Sequence, residues 1–426
     1  MDISHLHNLF LASSGISTDT RKIKENSIFF ALKGEKFNAN DFAEDALQKG
    51  AAFAVVDETR RNKNEKFIKV EDALKALQQL AAYHRRYLDI PILALTGSNG
   101  KTTTKELINA VLSKKFRTVA TSGNLNNHIG VPLTLLSMTR DTEMGIVEMG
   151  ANHQQEISFL CGIAEPDYGY ITNFGKAHLE GFGSVEGVIK GKKELYTHLK
   201  EREKLLFLNL NDPLQKMEEN YMHTFTFGTN CGADVELELC SRDSFAGIKV
   251  NGKEITGNLT GAYNSINMAA AYTIATRFKV PEDQISKALE EYLPRNNRSQ
   301  IILKDNRKII MDAYNANPSS MAAALENLNN MDLAPKIAIL GDMFELGLVA
   351  REEHEQVIKN IEESTISKAF VIGANFSTTA TSSEKVKKFA TFEEFQKWFQ
   401  PSEFNAGIIL IKGSRGMALE RVLELI

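Results

Sequence analysis

The segment from Thr96 to Thr103 reads Thr-Gly-Ser-Asn-Gly-Lys-Thr-Thr. Its residue types suit the binding of polyphosphate. Glycines at 97 and 100 let backbone N–H groups turn inward toward phosphate oxygens. Ser98, Asn99 and Thr103 add polar groups along the same turn. Lys101 can reach the β and γ phosphates, and the Thr102 hydroxyl can ligate Mg²⁺. An apolar run, Ile92 to Thr96, precedes the turn, and an amphipathic stretch with Leu107, Ile108, Val111 and Leu112 inward follows it. That strand–turn–helix context is what a phosphate loop requires, with the helix N-terminus adding partial positive charge. Leu95 stands where the usual eight-residue pattern has its first glycine, so the loop is a GxxGKT form. Such a loop predicts a bound nucleotide and leaves the reaction open.

Three further residues could do chemistry beside it. Glu148 closes the apolar run Gly145 to Met149. A carboxylate at the C-terminal end of a central strand can hold Mg²⁺ beside phosphates, or can simply be solvated. His178 follows the run Tyr168 to Thr172 and is a ligand candidate on the same reasoning. Lys192 lies on the stripe Val185, Val188, Ile189, Leu195 and Leu199 of a helix that Ser184 should cap. Lys190 and Lys193 point elsewhere. If Lys192 is buried, its neutral amine is favoured and can add CO₂ to give a carbamate, an anionic metal ligand. If it reaches along the helix to solvent, it is an ordinary surface lysine. The spacing leaves both open.

The elements that position these groups recur along 426 residues, a length for two to four domains. Strand-like runs alternate with helical stretches throughout, which predicts α/β architecture with crossover connections. We expect three units: a small α/β unit over 1–88, a central α/β unit with the phosphate loop over 89–297, and a doubly wound, Rossmann-like α/β unit over 298–426. The Ser-, Thr- and Lys-rich stretch from Thr378 to Lys388 is expected to be a surface loop. A net charge of −4 offers no basic surplus for nucleic acid. Three cysteines without metal-type spacing fit reduced thiols. No run approaches the ~20 apolar residues of a membrane span, and no leader pattern is seen. A cytoplasmic monomer acting on small molecules is expected, with no nucleic acid and no membrane.

The phosphate loop, Glu148, the segment Asn173 to His178 and the segment Gly183 to Lys192 together resemble the Mur ligases. The segments Gly123 to Pro132, Asp312 to Met321, Leu340 to Gly347 and Ile411 to Met417 are similar to the member that adds D-Ala-D-Ala. Asp19-Thr20-Arg21 and Phe30 to Gly34 look like the family's N-terminal UDP-substrate domain. The resemblance covers nearly the whole chain. It implies ATP-dependent, Mg²⁺-requiring addition of D-Ala-D-Ala to UDP-MurNAc-tripeptide through an acyl phosphate, in peptidoglycan synthesis.

In that family the lysine matching Lys192 is carbamylated. The implied metal ligands are Thr102, Glu148, His178 and carbamylated Lys192, and the implied catalytic set is Lys101, Glu148, His178 and Lys192. For ATP the resemblance adds Asn264, Asn267, Arg298 and Asp312 to the loop residues 97–103. For the other substrates it names Asp19, Thr20, Arg21, Lys33, Asn126, Asn127, His128, Tyr314, Asn315 and Asn317. The chain departs from the family pattern at Tyr263, commonly His, at Asn297-Arg298, commonly Gly-Arg, and at Asn40-Asp41-Phe42, more usually Gly-His-Asp-Phe. A tripeptide-forming Mur ligase or a folylpolyglutamate synthase is the nearest alternative. A nucleotide-binding switch without ligase activity is the alternative of a different class, and such a protein has no need of the metal-site residues.

Overall fold

The structure, a computed structural model, describes residues 2–58, 65–242, 244–294, 297–305, 307–404 and 407–426. Three α/β domains follow one another along the chain. In the first, Ile16–Ser17, Ile28–Phe30, Phe53–Val56 and Phe67–Lys69 pair in parallel in that order. Alternate side chains cover its two faces, as strand geometry requires. Phe29, Ala54 and Val56 pack with Ala43 and Ala46 of the helix Ala43–Gln48. Ile28, Phe30 and Val55 pack with Leu77 and Leu80 of the helix Ala73–Leu88. Asp72 caps that helix by accepting from the Lys75 N–H at 2.9 Å.

The same helix ties the first domain to the second. Arg85, nearly fully buried, donates to the Ala164 carbonyl at 3.0 Å and to Asp167 at 2.9 Å. The second domain is built on seven parallel strands. Their order is Val235–Glu236, Thr224–Gly228, Leu205–Asn209, Tyr168–Ile171, Ile92–Thr96, Met144–Glu148 and Thr118–Ala120. The period of two divides its core. Ile92, Ala94 and Val147 face the helices Glu156–Ala164 and Val185–Lys200, while Leu93, Leu95 and Ile146 face Lys101–Leu112 and Ala262–Arg277. An antiparallel sheet of Glu238–Arg242, Phe245–Val250 and Lys253–Thr260 packs on the second of these faces, an element the sequence reading omits.

The chain winds to opposite sides of Ile92–Thr96, so strands reached in both directions flank it. A crevice opens at the C-terminal ends of such strands. Thr96, Glu148 and Ile171 all end there.

In the third domain the order is Gln300–Lys304, Arg307–Asp312, Ile408–Lys412, Lys336–Gly341, Lys368–Ile372 and Val386–Phe389. The first pair is antiparallel and the rest are parallel. The expected loop at Thr378–Lys388 is therefore corrected at its end. Val386–Phe389 is an edge strand, because Val386 and Phe389 are buried while Lys387 stays exposed. Among the described residues no helix is long and apolar enough to cross a membrane.

Candidate active site

The turn after Ile92–Thr96 is held from the neighbouring strand end. Ser98 N–H donates to the Asn173 carbonyl at 3.1 Å, and Asn99 N–H donates to Asn173 Oδ1 at 3.0 Å. The Thr172 hydroxyl donates to the Asn99 carbonyl at 2.6 Å. Gly97 has φ 144°, and a Cβ there would lie 2.0 Å from Thr172 Oγ1, so only glycine fits. Gly100, at φ 77°, is the N-cap of Lys101–Leu112. Lys101 curls over the turn, donating to the carbonyls of Gly97 at 2.7 Å and Ser98 at 3.2 Å. Burial lowers its pKa, Glu148 opposes that shift, and the nearby Arg298 adds to it.

Glu148 is almost fully buried, with both oxygens engaged. The Thr102 hydroxyl donates to Oε2 at 2.9 Å, and Asn126 Nδ2 donates to Oε1 at 2.8 Å. Its own N–H donates to the Thr121 hydroxyl at 2.9 Å. Thr121 is held in turn by fully buried Lys105, which donates to its carbonyl.

Lys192 is fully buried. Ser184 caps its helix by accepting from Gly187 N–H at 3.1 Å. The inward side of that helix is the buried set Val188, Lys192, Leu195 and Leu199. Nζ donates to the Ala151 carbonyl at 3.3 Å and stands 5.1 Å from the Phe182 ring centre. Burial, and secondarily the charge of Lys101, push its pKa well below the ordinary lysine range, against Glu156 and Glu194. His178 lies at the start of the short helix Leu179–Phe182 with φ 51°. Its Nδ1 pairs with Glu345 of the third domain. The candidate metal ligands thus comprise one contacting pair, Thr102 with Glu148, and two separate groups. Among the described residues no set of three His, Cys, Asp or Glu gathers into a metal cage.

The third domain closes over the turn. Asn317, N-cap of the helix Pro318–Asn329, donates from Nδ2 to Asn99 Oδ1 at 2.7 Å. Lys176 N–H donates to Ser319 Oγ at 2.8 Å, and Lys176 Nζ pairs with Glu353 at 2.6 Å. A cavity of about 1110 Å³ lies between the two domains. It exceeds the ~300–1,000 Å³ typical of a single small-ligand site.

Loop residues 98–103, Asn126, Asn127, His128, Glu148 and His178 line it from the middle domain, with Asn264, Asn267 and Arg298 beyond them. Asp312, Tyr314, Asn315 and Asn317 line the facing wall. Asn267 accepts from Thr104 at 3.0 Å and donates to Asn264 at 2.9 Å, which ties both to the turn's helix. Asn127 Oδ1 accepts from Gly130 N–H at 2.9 Å, so part of its capacity holds its own loop. Lys192 sits behind the wall, touching it through the Ala151 carbonyl.

Asp19, Thr20, Arg21 and Lys33 are not brought to this cavity. Asp19 caps the turn Thr20–Lys22 and pairs with Arg21 at 2.9 Å. Lys33 pairs with Asp57 at 3.1 Å and Glu58 at 3.3 Å. Both groups belong to the first domain and neither lines the cavity.

Comparison with known proteins bears on this arrangement. Three family models match in chain order: "Mur ligase family, catalytic domain" over residues 13–85, "Mur ligase middle domain" over 95–275, and "Mur ligase, glutamate ligase domain" over 297–415. The UDP-N-acetylmuramoyl-tripeptide--D-alanyl-D-alanine ligase of Bacillus subtilis is 35% identical, over 96% of this chain and 92% of that protein. The chain belongs to the Mur ligase family.

The Escherichia coli protein of the same name is 33% identical, again over 96% and 92% of the two chains. Among solved structures, MurF from Acinetobacter baumannii superposes with a TM-score of 0.88 at 30% identity, covering 98% of this chain and 97% of that one. The MurF ligase of Thermotoga maritima in complex with ADP gives 0.84 at 27% identity, covering 98% and 97%. Tyr263 lines the cavity, and its hydroxyl and Ser299 Oγ lie 3.0 Å apart.

Sequence reasoning gave no individual role to Asn173, Glu345, Ser319 or Lys412, although all four lie in segments that carry the resemblance, and none to Lys105. Lys412 is buried, donating to Asp312 Oδ2 at 2.6 Å and to the Asn315 carbonyl at 3.3 Å. A usable signal existed for it. A lysine ending the apolar run Ile408 to Ile411 must face either a partner or the sheet end.

Proposed function

We propose that this Mur ligase uses ATP to join D-Ala-D-Ala to UDP-MurNAc-tripeptide, giving the pentapeptide, ADP and phosphate. The observation that carries the reading is the inter-domain cavity, where a phosphate turn, a buried carboxylate and an asparagine-rich wall face one another.

A carboxylate is a poor acyl donor because its leaving group would be oxide. Transfer of the γ-phosphoryl group to the tripeptide's terminal carboxylate makes an acyl phosphate. The amine of D-Ala-D-Ala then attacks the carbonyl carbon, the C–O bond to phosphate breaks, and the ammonium proton passes to solvent or a base. Three sets of negative oxygens must approach one another for this. Lys101 and the backbone N–H groups of the turn offset their repulsion. Closure of the third domain through Asn317, Ser319 and Glu345 excludes water from the acyl phosphate.

Thr102 and Glu148 fit one Mg²⁺, since a hydroxyl and a carboxylate already adjoin at the strand end and both are hard oxygen donors. When bound, the metal supplies charge neutralisation between phosphoryl oxygens. As a free amine, Lys192 lacks the oxygen donors a hard cation takes. Its burial favours the neutral amine that can take up CO₂, and as a carbamate it would join His178 in a second metal position. Asn264, Asn267, Arg298 and Asp312 are assigned to the nucleotide. Asn126, Asn127, His128, Tyr314, Asn315 and Asn317 are assigned to the peptide substrates. Asp19, Thr20, Arg21 and Lys33 are assigned to the UDP end.

The test is ADP release in a substrate screen. With UDP-MurNAc-tripeptide present, D-Ala-D-Ala should trigger release and L-lysine, diaminopimelate or glutamate should not. Release triggered by a single amino acid would instead favour a tripeptide-forming or glutamate-adding ligase.

A further inference from the structure

Glu345 lies in the loop that follows Lys336–Gly341 and reaches out of the third domain to His178. The loop itself is pinned inside that domain. Asp342 accepts from the N–H groups of Asn375 at 2.9 Å and Phe376 at 3.0 Å. Met343 N–H donates to His354 Nε2 at 3.1 Å, and Leu346 is buried in the domain core. Glu345 is therefore fixed to the third domain.

His178 is fixed to the second. Its segment is tied to the phosphate turn, where Ser98 donates to the Gly175 carbonyl at 2.7 Å. The His178 carbonyl accepts from Gly181 and Phe182 N–H at 3.1 Å each, at the start of the helix Leu179–Phe182. With the backbone set, the ring is what remains to be oriented. Two contacts reach this corner from the third domain. Glu345 Oε2 pairs with His178 Nδ1, and the Glu345 carbonyl accepts from Glu180 N–H at 3.2 Å.

A carboxylate can only accept, so Nδ1 must carry the proton. In a neutral ring Nε2 is then the nitrogen with a free lone pair. His178 also lines the inter-domain cavity, so Nε2 is the nitrogen left to act there. Which nitrogen of a histidine can take a cation is set by the bond that the other one makes. Here that bond comes from another domain. The Glu345 side chain is 53% exposed, so the pair adds little to stability, and its effect falls on the ring's proton and orientation.

We propose that Glu345 is a positioning residue: closure of the third domain brings its carboxylate to Nδ1 and thereby readies His178 Nε2 to ligate metal at the acyl-phosphate end of the cavity. The inference rests on the reading of His178 as a metal ligand given above. It makes phosphoryl transfer wait until the domains have shut, because the metal position is complete only then.

The experiment uses the full chain with ¹⁵N-labelled histidine, UDP-MurNAc-tripeptide and ADP, with no metal added, for wild type, Glu345→Ala and Glu345→Gln. At about pH 8 an ordinary histidine is neutral. Long-range ¹H–¹⁵N spectra report which ring nitrogen is protonated, and the His178 signals are those missing from His178→Ala. Wild type should carry the proton on Nδ1. Glu345→Ala should show both tautomers in exchange, and Glu345→Gln, whose amide oxygen still accepts, should keep the proton on Nδ1. In steady-state kinetics Glu345→Ala should lower kcat by about 10- to 100-fold and raise the Mg²⁺ concentration at half-maximal rate. KM for ATP should stay within about twofold, and Glu345→Gln should recover most of the rate. An unchanged tautomer in Glu345→Ala, or equal losses of kcat in the two variants, overturns the assignment. Full ligation by His178→Ala would remove the ligand reading itself. An inactive His178→Ala beside an unaffected Glu345→Ala would remove this inference alone.

Discussion

Lys192 illustrates how a single side chain joins sequence to chemistry. Its place among Val188, Leu195 and Leu199 was legible from helical spacing, but the spacing left burial and snorkelling both open. Complete burial against Ala151 and Phe182 decides for burial, because the helices Leu179–Phe182 and Glu156–Ala164 cover that face. We expect Lys192→Ala to lower ligation by about 10²- to 10³-fold, and short carboxylic acids such as acetate to restore part of it. Full activity in that variant without additive would remove the carbamate from the account. Lys101→Ala should lose ATP turnover by at least about 10²-fold, read as ADP release at saturating substrates. Retained turnover would move the phosphate site elsewhere. Glu345 shows what spacing leaves hidden. It lies 167 positions from its partner His178, and only the docking of two domains brings them together.

Elements carry the next set of consequences. Asn317 does two jobs: it caps Pro318–Asn329, and it reaches across to Asn99. Asn317→Ala should cost about 0.5–2 kcal/mol in the third domain through loss of the cap. Asn317→Ser keeps a capping hydroxyl and shortens the reach. It should therefore leave the urea midpoint near wild type while lowering kcat/KM. Unchanged kcat/KM in Asn317→Ser would make the cap the whole story.

The first helix, Ile3–Leu11, meets Ala73–Leu88 through buried His7 and His84. His84 Nε2 lies 2.9 Å from the Met138 carbonyl, which can only accept, so Nε2 carries the proton and Nδ1 accepts from His7 at 3.0 Å. Burial, then the neighbouring His84, lowers the His7 pKa from 6.5 to about 4, and burial lowers that of His84. Between those values the unfolded chain binds more protons than the fold does. Stability should therefore fall as pH drops from 6.5 toward about 4. Urea midpoints at pH 7 and pH 5 test this, since His7→Phe should narrow the gap between them. The apolar strands Ile92–Thr96, Met144–Glu148 and Ile408–Lys412 were legible, and so was the strand–turn–helix around Gly97 to Thr103. The antiparallel sheet from Glu238 to Thr260 was less so: Glu238–Arg242 is largely exposed and carries no periodic signal, whereas Lys253–Thr260 alternates, burying Ile255, Gly257 and Leu259.

At the scale of the whole molecule, three α/β units could be read from alternating strands and helices, but their docking could not. Docking depends on contacts such as Arg85 with Asp167, Lys176 with Glu353 and Asn317 with Asn99. The last two hold the third domain over the phosphate turn. Breaking both, as in Glu353→Gln with Asn317→Ala, should loosen closure and admit water to the acyl phosphate. That would appear as ADP release without matching peptide formation, and tight coupling in the double variant would contradict a shielding role. The central claim is that phosphoryl transfer activates the tripeptide's terminal carboxylate. Labelling that carboxylate with ¹⁸O tests it most directly. The account predicts one labelled oxygen in the inorganic phosphate for each peptide bond formed. Phosphate carrying no label, with its new oxygen drawn from water, would contradict it.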